Sequence, residues 1–104
     1  MSTLYIDTSS NKKIIVKLQI NGKEDKVEQE IGVQKAQVVL PLIDQLLKKH
    51  NLKLDDLEKI EVNAGPGSFT GLRVGIAIAN AFSFALKIPV NGKKIGEFVE
   101  PLYQ

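Results

Sequence analysis

The sequence has no cysteine, and that single absence removes disulfides, thiolate nucleophiles and cysteine-ligated metals together. Histidine occurs once, as His50, so one chain cannot assemble a paired-histidine metal site. Excess charge is also missing: 14 basic against 12 acidic residues leave a net charge of +2, with no dense Lys/Arg cluster. Charge-driven nucleic-acid binding is therefore not predicted. No long hydrophobic run is present either. The longest chargeless stretch, Val74 to Leu86, falls short of the roughly 20 residues a membrane helix needs. The opening Met1-Ser2-Thr3-Leu4 has no basic region before an apolar run, so no signal peptide is predicted and the expected location is cytoplasmic. With 104 residues, 43% of them hydrophobic and 25% charged, the chain reads as one globular domain, too small for two lobes with a cleft between them.

Glycine is concentrated in one place. Gly65, Gly67, Gly71 and Gly75, with Pro66, fall between a strand-like run and a long helical run. Glycine serves sharp turns and close backbone approach, and strand–glycine–helix junctions are common phosphate sites. The loop therefore either holds an anion or seats the helix on the sheet. Its spacing fits neither G-x-G-x-x-G, whose third glycine would fall at Thr70, nor a P-loop, since no Lys-Ser/Thr pair follows Gly71. Pro66 also removes one N–H donor from any anion cradle. Arg73 and Asp7 remain as possible anion contacts. Asp7 lies at the end of the first strand, where an acidic residue can orient a metal-bound water, or can simply cap the turn to Ser9 and Ser10.

Around this loop the pattern is regular. Leu4-Tyr5-Ile6 reads as a short strand. Ile14, Val16, Leu18 and Ile20 alternate as a strand with one buried face, and Asn21-Gly22 signals a tight hairpin into a polar strand, Lys23 to Ile31. From Val33 to His50 the period becomes helical. Pro41 inside it predicts a kink or a late start, and Asn51 a left-handed exit. His50 is expected as a solvated helix-end residue. Leu52 to Leu57 reads as a connector with a turn capped by Asp55, followed by a strand at Ile60 and Val62. A second helix should start near Thr70, with the Thr70 hydroxyl as its cap, and run to about Lys87; Ile88-Pro89-Val90 should form a last strand.

The order β-β-β-α-β-α-β predicts an α/β fold: a mixed sheet with an antiparallel hairpin and two main helices on its faces. It suits one ribonuclease-H-like or actin-like ATPase lobe. The second helix leaves almost no polar face, so part of its apolar surface should meet another chain. The residues expected there are Val38, Leu42, Ile43 and Leu46 from the first helix, with Leu72, Ile76, Ala79, Phe82 and Ser83 from the second.

The run Gly65-Pro66-Gly67-Ser68-Phe69-Thr70-Gly71-Leu72-Arg73-Val74-Gly75 resembles the signature of the bacterial TsaB (YeaZ) family of tRNA threonylcarbamoyladenosine biosynthesis proteins. Leu4-Tyr5-Ile6-Asp7-Thr8-Ser9, Gln37-Val38-Val39-Leu40-Pro41-Leu42-Ile43 and Glu100-Pro101-Leu102-Tyr103 resemble three flanking family motifs in the same order. The chain departs from the family in having Lys35-Ala36 before Gln37, and in a short bridge, Asn91 to Phe98, where a second lobe would stand. The resemblance implies a TsaB-like lobe over residues 1–90 and a bridge and tail over 91–104. It further implies a non-catalytic subunit, without cofactor or metal, in modification of tRNA position 37. Its partners would be a TsaD-like catalytic subunit, a TsaE-like ATPase, or a second copy through the two helices, with tRNA reached only indirectly and no membrane contact. The competing reading is a small nucleotide-binding or phosphoryl-transfer module using Asp7, the glycine loop and Arg73.

Overall fold

A computed structural model describes residues 1–30, 35–67 and 69–102. The expectations placed on Ile31, Val33, Ser68 and Tyr103 lie outside the described residues. The elements are β1 (Ser2–Asp7), β2 (Lys13–Ile20), β3 (Lys23–Glu30), α1 (Lys35–Lys49), a 3-10 turn (Leu54–Asp56), β4 (Lys59–Val62) and α2 (Phe69–Leu86). They form an α/β fold with a mixed four-stranded sheet in the order β3-β2-β1-β4. β1–β2 and β2–β3 pair antiparallel and β1–β4 parallel. A parallel pair needs a crossover, and α1 supplies it.

Strand alternation decides where the helices go. Leu4 and Ile6, Ile14, Val16 and Leu18, and Ile60 and Val62 are all buried. Their neighbours Thr3, Tyr5, Lys17, Gln19 and Glu61 point the other way and stay partly or fully exposed. Only one face of the sheet is apolar, so α1 packs over β2 and β3, α2 over β1 and β4, and the helices touch each other. The two helices thus share one face rather than dividing two.

The hairpin turns through Asn21 (φ 50°) and Gly22 (φ 82°), the left-handed pair that Asn-Gly favours. Pro41 lies inside α1, which starts six residues earlier at Lys35, so the late start does not occur. Leu40 and Pro41 are exposed, which lets the ring face solvent. Asn51 makes the left-handed exit (φ 56°), and the Leu52 N–H closes it on the Leu47 carbonyl at 2.9 Å. His50 is not simply solvated: its Nε2 meets Asp25 Oδ2 at 2.8 Å. In the 3-10 turn it is Asp56, not Asp55, that caps, accepting the Lys53 N–H at 2.8 Å.

The expected last strand shrinks to one bridge, Ile60 with Val90. Pro89 has no N–H to extend a ladder, and Asn91 (φ 50°) and Gly92 (φ 72°) turn the chain away at once. The Asn91 side chain then closes the β4 edge, accepting the Val62 N–H at 2.8 Å and donating to the Val62 carbonyl at 3.0 Å.

Candidate functional site

The glycine loop joins the end of β4 to α2, beside the turn that leaves β1. Asp7 Oδ1 accepts both the Ser9 N–H (2.9 Å) and the Ser9 hydroxyl (2.6 Å). Asn63 Nδ2 donates to Ser9 Oγ at 3.2 Å, and Asn63 Oδ1 accepts the Gly65 N–H at 3.0 Å. Asp7, Ser9, Asn63 and Gly65 therefore form one chain of bonds that fixes the loop against the β1 turn. Close by on the open face, burial pushes the Tyr5 phenol up, helped by the charges of Asp7 and Glu61.

The glycines are occupied by the chain itself. Gly65 (φ +121°) has a conformation that side chains avoid, and a Cβ there would run into the Leu102 carbonyl oxygen. The tail is held at that point by the Leu102 N–H donating to the Ala64 carbonyl at 2.7 Å. At Gly67 a Cβ would lie 2.9 Å from the Ser9 Cβ. At Gly75 it would lie 2.5 Å from the buried Thr8 hydroxyl, which accepts the Gly75 N–H and donates to the Gly71 carbonyl. Pro66 is exposed and joined to Gly65 by a cis peptide bond. The backbone approaches that a phosphate cradle would use are filled by Leu102, Ser9 and Thr8.

Arg73 is exposed beyond this junction and lines an open groove of about 370 Å³ with Thr70, Val74 and Ala77. Among the described residues no hydrogen bond or ion pair joins it to Asp7, whose Oδ1 is bonded to Ser9. Thr70 is the second residue of α2 rather than its cap.

The expected partner-contact residues need correction. Leu42, Ile43, Leu46, Leu72, Ile76 and Ala79 are buried in the chain's own core, none more than 5% exposed. Ser83 is buried too, donating its hydroxyl to the Ile88 carbonyl at 2.6 Å. Only Val38 and Phe82 of the nine are half-buried. The reason is the phase of α2. Gly71, Gly75, Ala79 and Ser83, four residues apart, face the sheet and let the helix sit close to β1 and β4. A second small stripe, Ala77, Ala81 and Ala85, follows exposed Arg73 on the outer face, with Phe84 exposed beside it. On α1 the exposed apolar residues, among those whose burial is described, are Leu40 and Pro41. An all-apolar helix carries no polar stripe to mark its outer face, and small residues four apart line both faces, so spacing alone does not tell them apart.

The tail adds a contact that periodicity did not suggest. Asn80 of α2 donates Nδ2–H to the Val99 carbonyl at 3.0 Å and accepts the Val99 N–H at 2.9 Å. Val99 is buried, while Phe98 stays exposed and meets Phe84 edge-on at 6.5 Å between ring centres.

Comparison with known proteins gives a consistent result. The profile of the family described as "TsaD: tRNA N6-adenosine threonylcarbamoyltransferase" matches residues 29–92, from the end of β3 through both helices. The tRNA threonylcarbamoyladenosine biosynthesis protein TsaB of Buchnera aphidicola is 35% identical over 97 residues, covering 86% of this chain and 42% of that protein. TsaB of Bacillus subtilis is 30% identical over 118 residues, covering 99% of this chain and 50% of its own length. Among solved structures, YeaZ from Pseudomonas aeruginosa superposes with a TM-score of 0.82 at 31% identity, over 89% of this chain and 43% of that one. The chain thus spans half or less of the length of these relatives.

Proposed function

Because this chain belongs to the tRNA N6-adenosine threonylcarbamoyltransferase family, among its TsaB members, we propose that it is a non-catalytic scaffold subunit of the cytoplasmic machinery that makes threonylcarbamoyladenosine at tRNA position 37. In this reading it is one ribonuclease-H-like or actin-like lobe that pairs with a TsaD-like catalytic subunit through the outer face of its helix layer. A TsaE-like ATPase joins the pair, and tRNA is reached through the partner.

One observation carries the reading: the open face of α2 presents Ala77, Ala81 and Ala85 with Phe84 to solvent, on a helix with no acidic residue and one basic residue, Arg73. Small residues let a second helix approach closely, and exposed apolar surface gains most from being covered. The family profile spans α1 and α2, so a related partner carries a similar helix layer, and like layers can pair about a pseudo-two-fold axis. Without that partner the same face suits a second copy of this chain. A contact of this kind should bury about 1,000 Å² or more. The nucleotide-binding alternative is disfavoured because Leu102, Ser9 and Thr8 fill the space beside the glycines.

The test is gel filtration with a TsaD-type subunit, using Ala77→Asp and Ala81→Asp, whose positions are exposed. Both variants should keep the far-ultraviolet circular dichroism of the unsubstituted chain and lose co-elution. Continued co-elution of both would place the contact elsewhere.

A further inference from the structure

Two turns of this chain are near copies of each other. Ile20-Asn21-Gly22-Lys23 and Val90-Asn91-Gly92-Lys93 each set a β-branched residue before Asn-Gly and a lysine after it. Both asparagines are left-handed at φ 50°, and the glycines that follow stay left-handed at 82° and 72°. The Asn21 N–H donates to the Met1 carbonyl at 3.1 Å, and the Asn91 N–H to the Ile60 carbonyl at 2.9 Å. Asn21, Gly22, Asn91 and Gly92 are all exposed. Neither glycine N–H has a hydrogen-bond partner among the described residues.

The side chains differ. Both polar atoms of the Asn91 amide are engaged: Oδ1 accepts the Val62 N–H at 2.8 Å, and Nδ2 donates to the Val62 carbonyl at 3.0 Å. At Asn21, Oδ1 accepts from the Met1 ammonium at 3.0 Å in an exposed contact. Asn21 Nδ2 has no partner among the described residues.

This difference bears on a reaction to which Asn-Gly pairs are especially prone. The glycine nitrogen gives its proton to solvent base and attacks the asparagine Cγ. A bond from that nitrogen to Cγ forms as the Cγ–Nδ2 bond breaks, and Nδ2 leaves as ammonia. Water then opens the cyclic imide at either carbonyl, giving aspartate or isoaspartate. Glycine favours the attack because it has no side chain to crowd the nitrogen. Since Cγ must swing onto that nitrogen, an amide bonded elsewhere has to let go first.

We propose that Asn21 is a site of spontaneous deamidation in the folded chain, and that Asn91, in a turn of matching sequence and shape, is protected by its bonds to Val62. The cost of opening the turn backbone is common to both sites, so the side-chain contacts set the ratio of rates. Release of two hydrogen bonds implies conversion at least about tenfold slower at Asn91. The protected amide is also the one the fold depends on. A carboxylate at position 91 could not donate to the Val62 carbonyl and would repel it, loosening the β4 edge. A carboxylate at position 21 would still offer an oxygen to the Met1 ammonium.

The test is incubation of the 104-residue chain in mildly alkaline buffer, either folded or unfolded in guanidinium chloride. Peptide mass spectrometry reads the replacement of amide by acid at each site, and enzymatic methylation reports isoaspartate. In the folded chain Asn21 should convert at least about tenfold faster than Asn91. In denaturant the two rates should converge, because the local sequences match. Asn91→Asp should lower the urea midpoint more than Asn21→Asp, since only Asn91 donates its amide within the fold. Equal rates in the folded chain, or a ratio that persists in denaturant, would overturn the assignment. So would an Asn21 that stays intact while the unfolded chain converts, or equal midpoints for the two variants.

Discussion

The Thr8 side chain occupies the place of the side chain that Gly75 lacks. Its hydroxyl accepts the Gly75 N–H at 3.0 Å and lies 2.5 Å from where a Gly75 Cβ would be, with both residues buried. This one contact sets the distance between β1 and α2, and hence the plane in which the helix presents its outer face.

Gly75→Ala should therefore destabilise the fold although alanine is the better helix former. Propensity favours the change by up to about 1 kcal/mol, but overpacking against a buried, hydrogen-bonded threonine costs about 1–3 kcal/mol. A net loss is expected, measured as a lower urea midpoint. Thr8→Ala in the same background should recover part of it, because it removes the clashing atom. Additive single effects would mean that the two sites are not coupled.

The corrected phase of α2 separates two kinds of substitution. Leu46→Ala and Ile76→Ala remove side chains that are 0% and 5% exposed, and each should cost about 2–5 kcal/mol in a urea titration. Ala81→Asp, on the opposite face, should stay within about 0.5 kcal/mol of the parent. Similar losses for all three would reverse the assigned face.

Asn80→Ala should free the tail. It leaves the Val99 N–H and carbonyl without their partner, at a cost of about 1–3 kcal/mol spread over the two groups. Faster amide exchange at Val99 and Leu102, and earlier protease cleavage after residue 94, are the expected readouts. Unchanged exchange at Val99 would show that its burial alone holds the tail.

Acid should loosen the tie between β3 and α1. The Lys49 ammonium, then the His50 ring, hold the Asp25 carboxyl down from its ordinary 3.8 to about 2. A carboxyl depressed in the folded state contributes stability that is present above its unfolded value and lost as pH falls through its folded value. The urea midpoint should therefore drop between about pH 4 and pH 2. Asp25→Asn should drop less over that range. Some decline should persist, since Lys26 and Lys13 also lower Glu28. An identical decline in both proteins would remove Asp25 from the account.

Much of this architecture is carried by short-range pattern. The alternation Ile14, Val16, Leu18 gives β2 and its buried face, and Asn21-Gly22 gives the hairpin, because side-chain direction and left-handed turns are properties of a few neighbouring residues. The glycine loop and its flanking motifs likewise sufficed to point to the family. The buried and exposed sides of α2 were not legible in the same way. A helix apolar all round has no preferred phase until Thr8, Val62 and the sheet give it one, and then the small residues Gly71, Gly75, Ala79 and Ser83 turn inward.

Sequence alone therefore determined the order and type of elements up to α2, and the family, since both rest on local pattern. Tertiary structure decided which apolar residues are core and which stay exposed. It also decided that the last strand ends after one bridge, that the tail closes on Gly65, and that His50 turns to Asp25. Each of those depends on residues far apart in the chain, whose meeting is set by the shape of what lies between them.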